Sequence, residues 1–217
     1  MKKTLLLVIF AIGASSISSM AEDAISRNVL KNPGFEDVEM QDVDTTYAEL
    51  LERGVEMSAG SSVPMPAGWR LNDRDGWYKG KACIFRYVEG EPGKEVFKGQ
   101  RAVYLASTVR ATITAKQVKV TDSPRPDEPT VKLQKANHFS FYAKGSGKIS
   151  AGGYTYGDKD PAKFDDLLVT PETFTLTEEW QKYEGTIELT YEGLGAFAFV
   201  LVVKGEATVD EVELIGF

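Results

Sequence analysis

From Gly68 to the C-terminus the chain is a series of short apolar or alternating segments, cut at close intervals by Gly, Pro and Asp. Candidate strands run over 80–88, 101–107, 110–120, 136–144, 147–156, 172–176, 181–190, 195–204 and 207–215. The punctuation between them is Glu91-Pro92-Gly93, the Pro124/Pro126/Pro129 cluster, Gly145-Ser146-Gly147, Gly157-Asp158-Lys159-Asp160-Pro161 and Gly193-Leu194-Gly195. Many short strands with turn residues between them predict an all-β, antiparallel sandwich. One short helix is expected near the N-terminus, over 47–53, capped by Asp44-Thr45-Thr46 and stopped by Gly54. A helical turn is expected within 161–170.

Ahead of these segments stands a leader. Lys2 and Lys3 precede an apolar run from Leu5 to Ala14, and small residues end in Ser19-Met20-Ala21. A positive start, a short apolar core and a small-x-small end predict a signal peptide over 1–21. The apolar run falls short of the roughly 20 residues a bilayer span needs. No Cys follows Ala21, so the expected product is secreted or periplasmic without a lipid anchor. Residues 22–217 then form a single domain.

The formal charge is −7 over the whole chain. It falls to −9 once Lys2 and Lys3 leave with the leader. This disfavours nucleic acid and anionic membrane surfaces as partners and favours hard cations locally. The single cysteine, Cys83, rules out an intrachain disulfide. In Ala82-Cys83-Ile84-Phe85 it reads as a small buried hydrophobe. Packing or a metal must therefore hold the fold.

Alternate side chains of a strand point to opposite faces. Over 138–144, Phe139, Phe141 and Ala143 share the expected core face, opposite His138, Ser140, Tyr142 and Lys144. Over 149–156, Ile149, Ala151 and Gly153 lie opposite Ser150, Gly152, Tyr154 and Tyr156. If Gly145-Ser146-Gly147 is a turn, Tyr142, Tyr154 and Tyr156 reach one outward surface, with small residues beside them. Aromatic faces with room above them suit pyranose rings. A loop or helix covering them is the alternative. Segment 197–203 is apolar on both faces and should be central. Asp210 has the parity of Val212 and Leu214, so a carboxylate is expected on the core side. A buried charge needs a partner: a bound cation, a salt bridge to Arg101 or Arg110, or a place at the sheet's rim.

Several motifs resemble, in order, those of carbohydrate-binding modules of the galactose-binding-like superfamily, nearest to the xylan- and glucan-binding group. They are Asn28-Val29-Leu30-Lys31-Asn32-Pro33-Gly34-Phe35-Glu36, Pro66-Ala67-Gly68-Trp69, Gly99-Gln100-Arg101-Ala102-Val103-Tyr104-Leu105, Phe139-Ser140-Phe141-Tyr142-Ala143-Lys144-Gly145, Thr177-Glu178-Glu179-Trp180-Gln181-Lys182-Tyr183-Glu184 and Val209-Asp210-Glu211-Val212-Glu213-Leu214. The resemblance implies a jelly-roll sandwich. It also implies a structural Ca²⁺ held by the Gly34 carbonyl, the Glu36 side chain, a carbonyl near Lys98 and the Asp210 side chain. Long inserts at 37–65 and 157–172 depart from the family pattern.

Trp69 and Trp180 read as packing residues. Trp77 and Tyr78, in a polar loop, read either as a ligand platform or as packing. His138 reads as a surface residue or a polar contact to a ligand. No nucleophile elbow, zinc-protease helix, phosphate loop or Cys-His arrangement occurs. The expected protein is non-catalytic and binds extracellular polysaccharide through Trp77, Tyr78, His138, Tyr142, Tyr154 and Tyr156. The competing expectation is a structural or adhesion domain of the cell envelope without sugar binding. A small glycan-cleaving enzyme is a third.

Overall fold

The computed structural model describes residues 28–42, 62–71, 84–115, 118–119, 136–157, 164–189 and 194–216. Among these residues ten strands are present: β1 (Val38–Asp42), β2 (Ser62–Pro66), β3 (Trp69–Leu71), β4 (Ile84–Glu89), β5 (Arg101–Ala115), β6 (Val118–Lys119), β7 (Ala136–Gly157), β8 (Phe164–Thr175), β9 (Gln181–Glu188) and β10 (Leu194–Gly216). The described residues contain no helix. The helix expected over 47–53 lies outside them. Strand β8 occupies part of the segment expected to hold a helical turn.

Three pairs of predicted strands are joined in single long strands: 101–107 with 110–115 of the expected 110–120, 136–144 with 147–156, and 195–204 with 207–215. β5, β7 and β10 run antiparallel, with β10 between the other two. This central place suits a segment apolar on both faces. All three bend at one level. Gly145 (φ +148°), Gly147 (φ +102°) and Gly205 (φ +114°) lie there. Gly205 is in register with Gly147, and the β5–β10 pairing shifts between Ala111 and Ser107. The glycines therefore mark a crease rather than a hairpin. Their lack of a Cβ lets the backbones pass closely: a Cβ on Gly205 would stand 2.9 Å from the Gly147 Cα.

The crease divides one eight-stranded sheet into two leaves. The first carries β4, the N-terminal part of β5, the C-terminal part of β10, the N-terminal part of β7, and β9. The second carries β3, the C-terminal part of β5, β6, the N-terminal part of β10, the C-terminal part of β7, and β8. The leaves close face to face over one apolar core. Phe139 of the first leaf meets Phe199 of the second at 6.0 Å between ring centroids, and Phe141 meets Phe174 at 6.0 Å. The result is the antiparallel sandwich that the strand pattern predicts, in the jelly-roll form that the resemblance implies. Continuous β-strands with their edges folded over one core need no disulfide.

The N-terminal signature ties the chain's beginning to its end. Asn28 accepts from the Leu30 and Leu214 amides and donates to the Val212 carbonyl. Asn32, at φ +51°, accepts from the Asp37 amide and donates to the Asp37 and Ala67 carbonyls. Trp69 is fully buried, donates to the Lys31 and Asn32 carbonyls, and packs on Phe35. It is the structural plug expected of it. Asn tolerates the left-handed backbone and supplies both donor and acceptor here. Asn32→Ala is expected to cost about 2–3 kcal/mol, read as a lower urea midpoint at unchanged slope.

Candidate metal centre and aromatic faces

Asp210 is fully buried, but not by the core. Its register partner is Tyr142, on the outer face of the first leaf. Between Asp210 and Glu213 the strand carries one extra residue, with Glu211 at φ +47°. A bulge of this kind reverses the alternation. Val209 before it and Val212 and Leu214 after it are core residues, while Asp210 and Glu213 face outward. The expectation of a core-facing Asp210 is therefore corrected: it counted parity through a bulge.

The segment 94–101 covers Asp210 instead. Its Oδ2 accepts from the Phe97 and Lys98 amides, both at 3.0 Å, and its Oδ1 from the Glu211 amide at 2.8 Å. Among the described residues no cationic side chain pairs with it. Arg101 is held by Glu89 and by the Glu36 carbonyl, and Lys98 by Glu211. Burial pushes the Asp210 carboxyl up to about 6, against the opposing pull of the amides.

Two residues further along the same segment, Glu36 Oε1 accepts from the Gln100 amide at 2.7 Å and the Arg101 amide at 3.2 Å. Gly34 lies beside Asp210: a Cβ there would be 3.7 Å from Asp210 Oδ1 and 2.8 Å from Glu211 Oε1. Four of the expected ligands thus meet around one loop. The Gly34 and Lys98 carbonyls accept no hydrogen bond among the described residues. Among those residues no three His, Cys, Asp or Glu side chains form a metal-binding group. A cation here needs main-chain oxygens as well as carboxylates. Two carboxylates and two unengaged carbonyls are hard oxygen donors of the kind Ca²⁺ takes. The residues present fit that ion.

The tyrosines divide. Tyr142, Tyr154 and Tyr156 do share one face of the continuous sheet, as parity requires. The crease at Gly145–Gly147 turns that face to opposite sides of the sandwich, so they form no common surface. Tyr142 is half-buried under Phe97, whose ring stacks on it at 3.5 Å and 12°. Trp180 meets Phe97 edge-on at 5.9 Å. Tyr154 and Tyr156 lie on the outer side of the second leaf and are 7% and 8% exposed. With Ala196, Ala198 and Val200 they form an apolar cluster separate from the main core. Their expected exposure is corrected.

On that same outer side Thr112 and Thr114 are buried, and the Thr114 hydroxyl has no hydrogen-bond partner. Neither threonine was singled out from the sequence. Their even numbering beside the core residues Ala111 and Ile113 is the signal that would have placed them.

His138 lies on the outer face of the first leaf, its Nε2 3.9 Å from Glu184 Oε2. A hydrogen bond from Lys182 holds the Glu184 carboxyl below the usual range. Trp77, Tyr78 and Cys83 lie outside the described residues. No helix among the described residues is long and apolar enough to cross a membrane.

No family model and no curated protein matches the chain. Among solved structures it is similar to carbohydrate-binding modules. One is a family 61 module in complex with β-1,4-galactotriose, at 18% identity over 88% of this chain and 100% of that one, with a TM-score of 0.47. A second is the CBM22-2 xylan-binding domain of Paenibacillus barcinonensis Xyn10C, at 15% over 69% and 92%, with a TM-score of 0.46. A third is the family 11 module of Clostridium thermocellum in complex with a β-1,3-1,4-mixed-linked tetrasaccharide, at 15% over 69% and 88%, with a TM-score of 0.43.

Proposed function

We propose that this chain is a secreted, non-catalytic sugar-binding sandwich, clipped by a structural Ca²⁺ at Gly34, Glu36, Lys98 and Asp210. The observation that carries the sugar reading is the second apolar cluster. A sandwich leaf needs one apolar face, and the second leaf has two. Its outer face packs Tyr154 and Tyr156 beside the small residues Gly152, Ala196 and Ala198. Pyranose C–H groups stack on such rings. The unpaired Thr114 hydroxyl supplies a buried donor and acceptor for a sugar hydroxyl. The ligand class is a polysaccharide or oligosaccharide.

Thr114→Val tests this cleanly. Removing a hydroxyl that has no partner should leave stability unchanged or slightly raised. Glycan affinity, measured by calorimetry against plant, algal and microbial polysaccharides, should fall about tenfold, the worth of one hydrogen bond. Tyr154→Ala would be less informative, because a buried ring lost from the fold also lowers stability. If the wild type binds one of these glycans and Thr114→Val binds it equally well, the site is misplaced.

The burial of both tyrosines favours a second reading, a structural or adhesion domain of the envelope with its sugar face closed. A folded protein that binds no glycan at all would support that reading over the first.

A further inference from the structure

We infer that the aromatic trio Phe97, Tyr142 and Trp180 sets the cation affinity of the Asp210–Glu36 centre, by holding the 94–101 segment in its binding shape. The inference rests on the Ca²⁺ reading above, and its three rings are positioning residues, not ligands.

The segment is attached at both ends by different chemistry. Its C-terminal half serves the carboxylates, through the Phe97 and Lys98 amides on Asp210 and the Gln100 and Arg101 amides on Glu36. Its N-terminal half is fixed by rings. The Lys94 carbonyl accepts from Trp180 Nε1 at 2.9 Å and from the Lys144 ammonium, which lies 5.0 Å from the Trp180 ring centroid. Phe97 belongs to both attachments. Its amide goes to Asp210, and its ring lies on Tyr142. Tyr142 and Asp210 are cross-strand register partners, so they form the two halves of one socket for a single residue.

Apart from the fully buried Val96 side chain and the Lys98–Glu211 ion pair, little else holds this stretch. Its own backbone pairing is one isolated bridge, Pro92 with Val96, and a few turn hydrogen bonds. Gly93 and Gly99 are in the left-handed region, and most of the residues from Glu91 to Gln100 are exposed. A loop of that kind must be ordered before the Lys98 carbonyl and both carboxylates face one ion. Ordering done in advance by packed rings is not charged against binding.

Phe97→Ala leaves every proposed ligand atom in the chain and removes the ring from the socket. In chelator-treated full-length protein, titration calorimetry with CaCl₂ should show a dissociation constant raised on the order of tenfold. Tryptophan fluorescence gives an independent readout, its Trp180 part being the part that Trp180→Phe removes. Calcium should shift its emission in the wild type as the segment settles, and the shift should vanish in Phe97→Ala. Phe97→Leu, which keeps bulk, should recover part of the affinity. Trp180→Phe, which removes the indole donor to Lys94 and half of the bicyclic ring, serves if Phe97→Ala does not fold, and should weaken binding severalfold.

Equal calcium affinity in the wild type and in Phe97→Ala, with both folded, would overturn the inference and leave the metal centre standing. No calcium binding by the wild type would overturn the metal centre, and the inference with it.

Discussion

Calcium added to chelator-treated protein at pH 7 is expected to raise its melting temperature by about 5–10 °C at a hundredfold excess over the dissociation constant. That follows from roughly 2.7 kcal/mol of linkage and the shift per kcal/mol usual at this size. The physical origin is a fully buried carboxylate with amide partners and, among the described residues, no cationic one. Without the ion, pH should act on Asp210 in an unusual direction. Its folded pKa is raised from 3.8 to about 6. A carboxyl raised on folding favours the folded state when protonated. Its contribution is therefore fully present below about pH 4 and is lost as pH rises through about 6. The gap between the two values corresponds to roughly 3 kcal/mol. With calcium the sign reverses, because the ion binds the ionised form. Asp210→Asn isolates the effect from other titrating groups. In chelator, the wild type should lose stability relative to Asp210→Asn between pH 4.5 and 7. With calcium at pH 7, only the wild type should gain. Melting curves that ignore calcium, in both the wild type and Glu36→Gln, would remove the metal centre from the account.

The crease should be the least forgiving place in the sandwich. Gly205→Ala is expected to cost at least about 3 kcal/mol, a fall in melting temperature of roughly 6–12 °C. Two effects combine. At φ +114° a non-glycine residue is strained. The added Cβ also meets the Ser146 carbonyl and the Gly147 Cα, which belong to a neighbouring strand and have no flexible atoms to yield. Gly93→Ala separates the two. Gly93 has φ +81° but open space around its missing Cβ, so only the conformational cost, about 1 kcal/mol, should appear. Equal losses in Gly205→Ala and Gly93→Ala would show that close packing of β7 against β10 is not what demands the glycine.

The sequence was most informative where a side chain's alternation is uninterrupted. The core set Phe139, Phe141, Ala143, Ile149 and Ala151 and the central place of 197–203 follow from period-two patterning, and they are buried as expected. It misled wherever the backbone departs from that period. One extra residue between Asp210 and Glu213 moves the acid from the core side to the outer side. The nearness of Gly34, Glu36, Lys98 and Asp210 was still legible, because the motifs that carry them mark the same loop crossing. Thr114 was not legible, since an unpaired hydroxyl is a property of surroundings rather than of residue type.

Residue order by itself determined that this acidic chain folds without disulfides into antiparallel strands with one apolar face each, and two for β10. Only the tertiary structure decided that Gly145-Ser146-Gly147 is a crease and not a turn. A glycine permits either geometry, and the choice is made by which backbone lies across from it. That one choice separates Tyr142 from Tyr154 and Tyr156. It turns the first toward the 94–101 segment and leaves the other two on the far leaf.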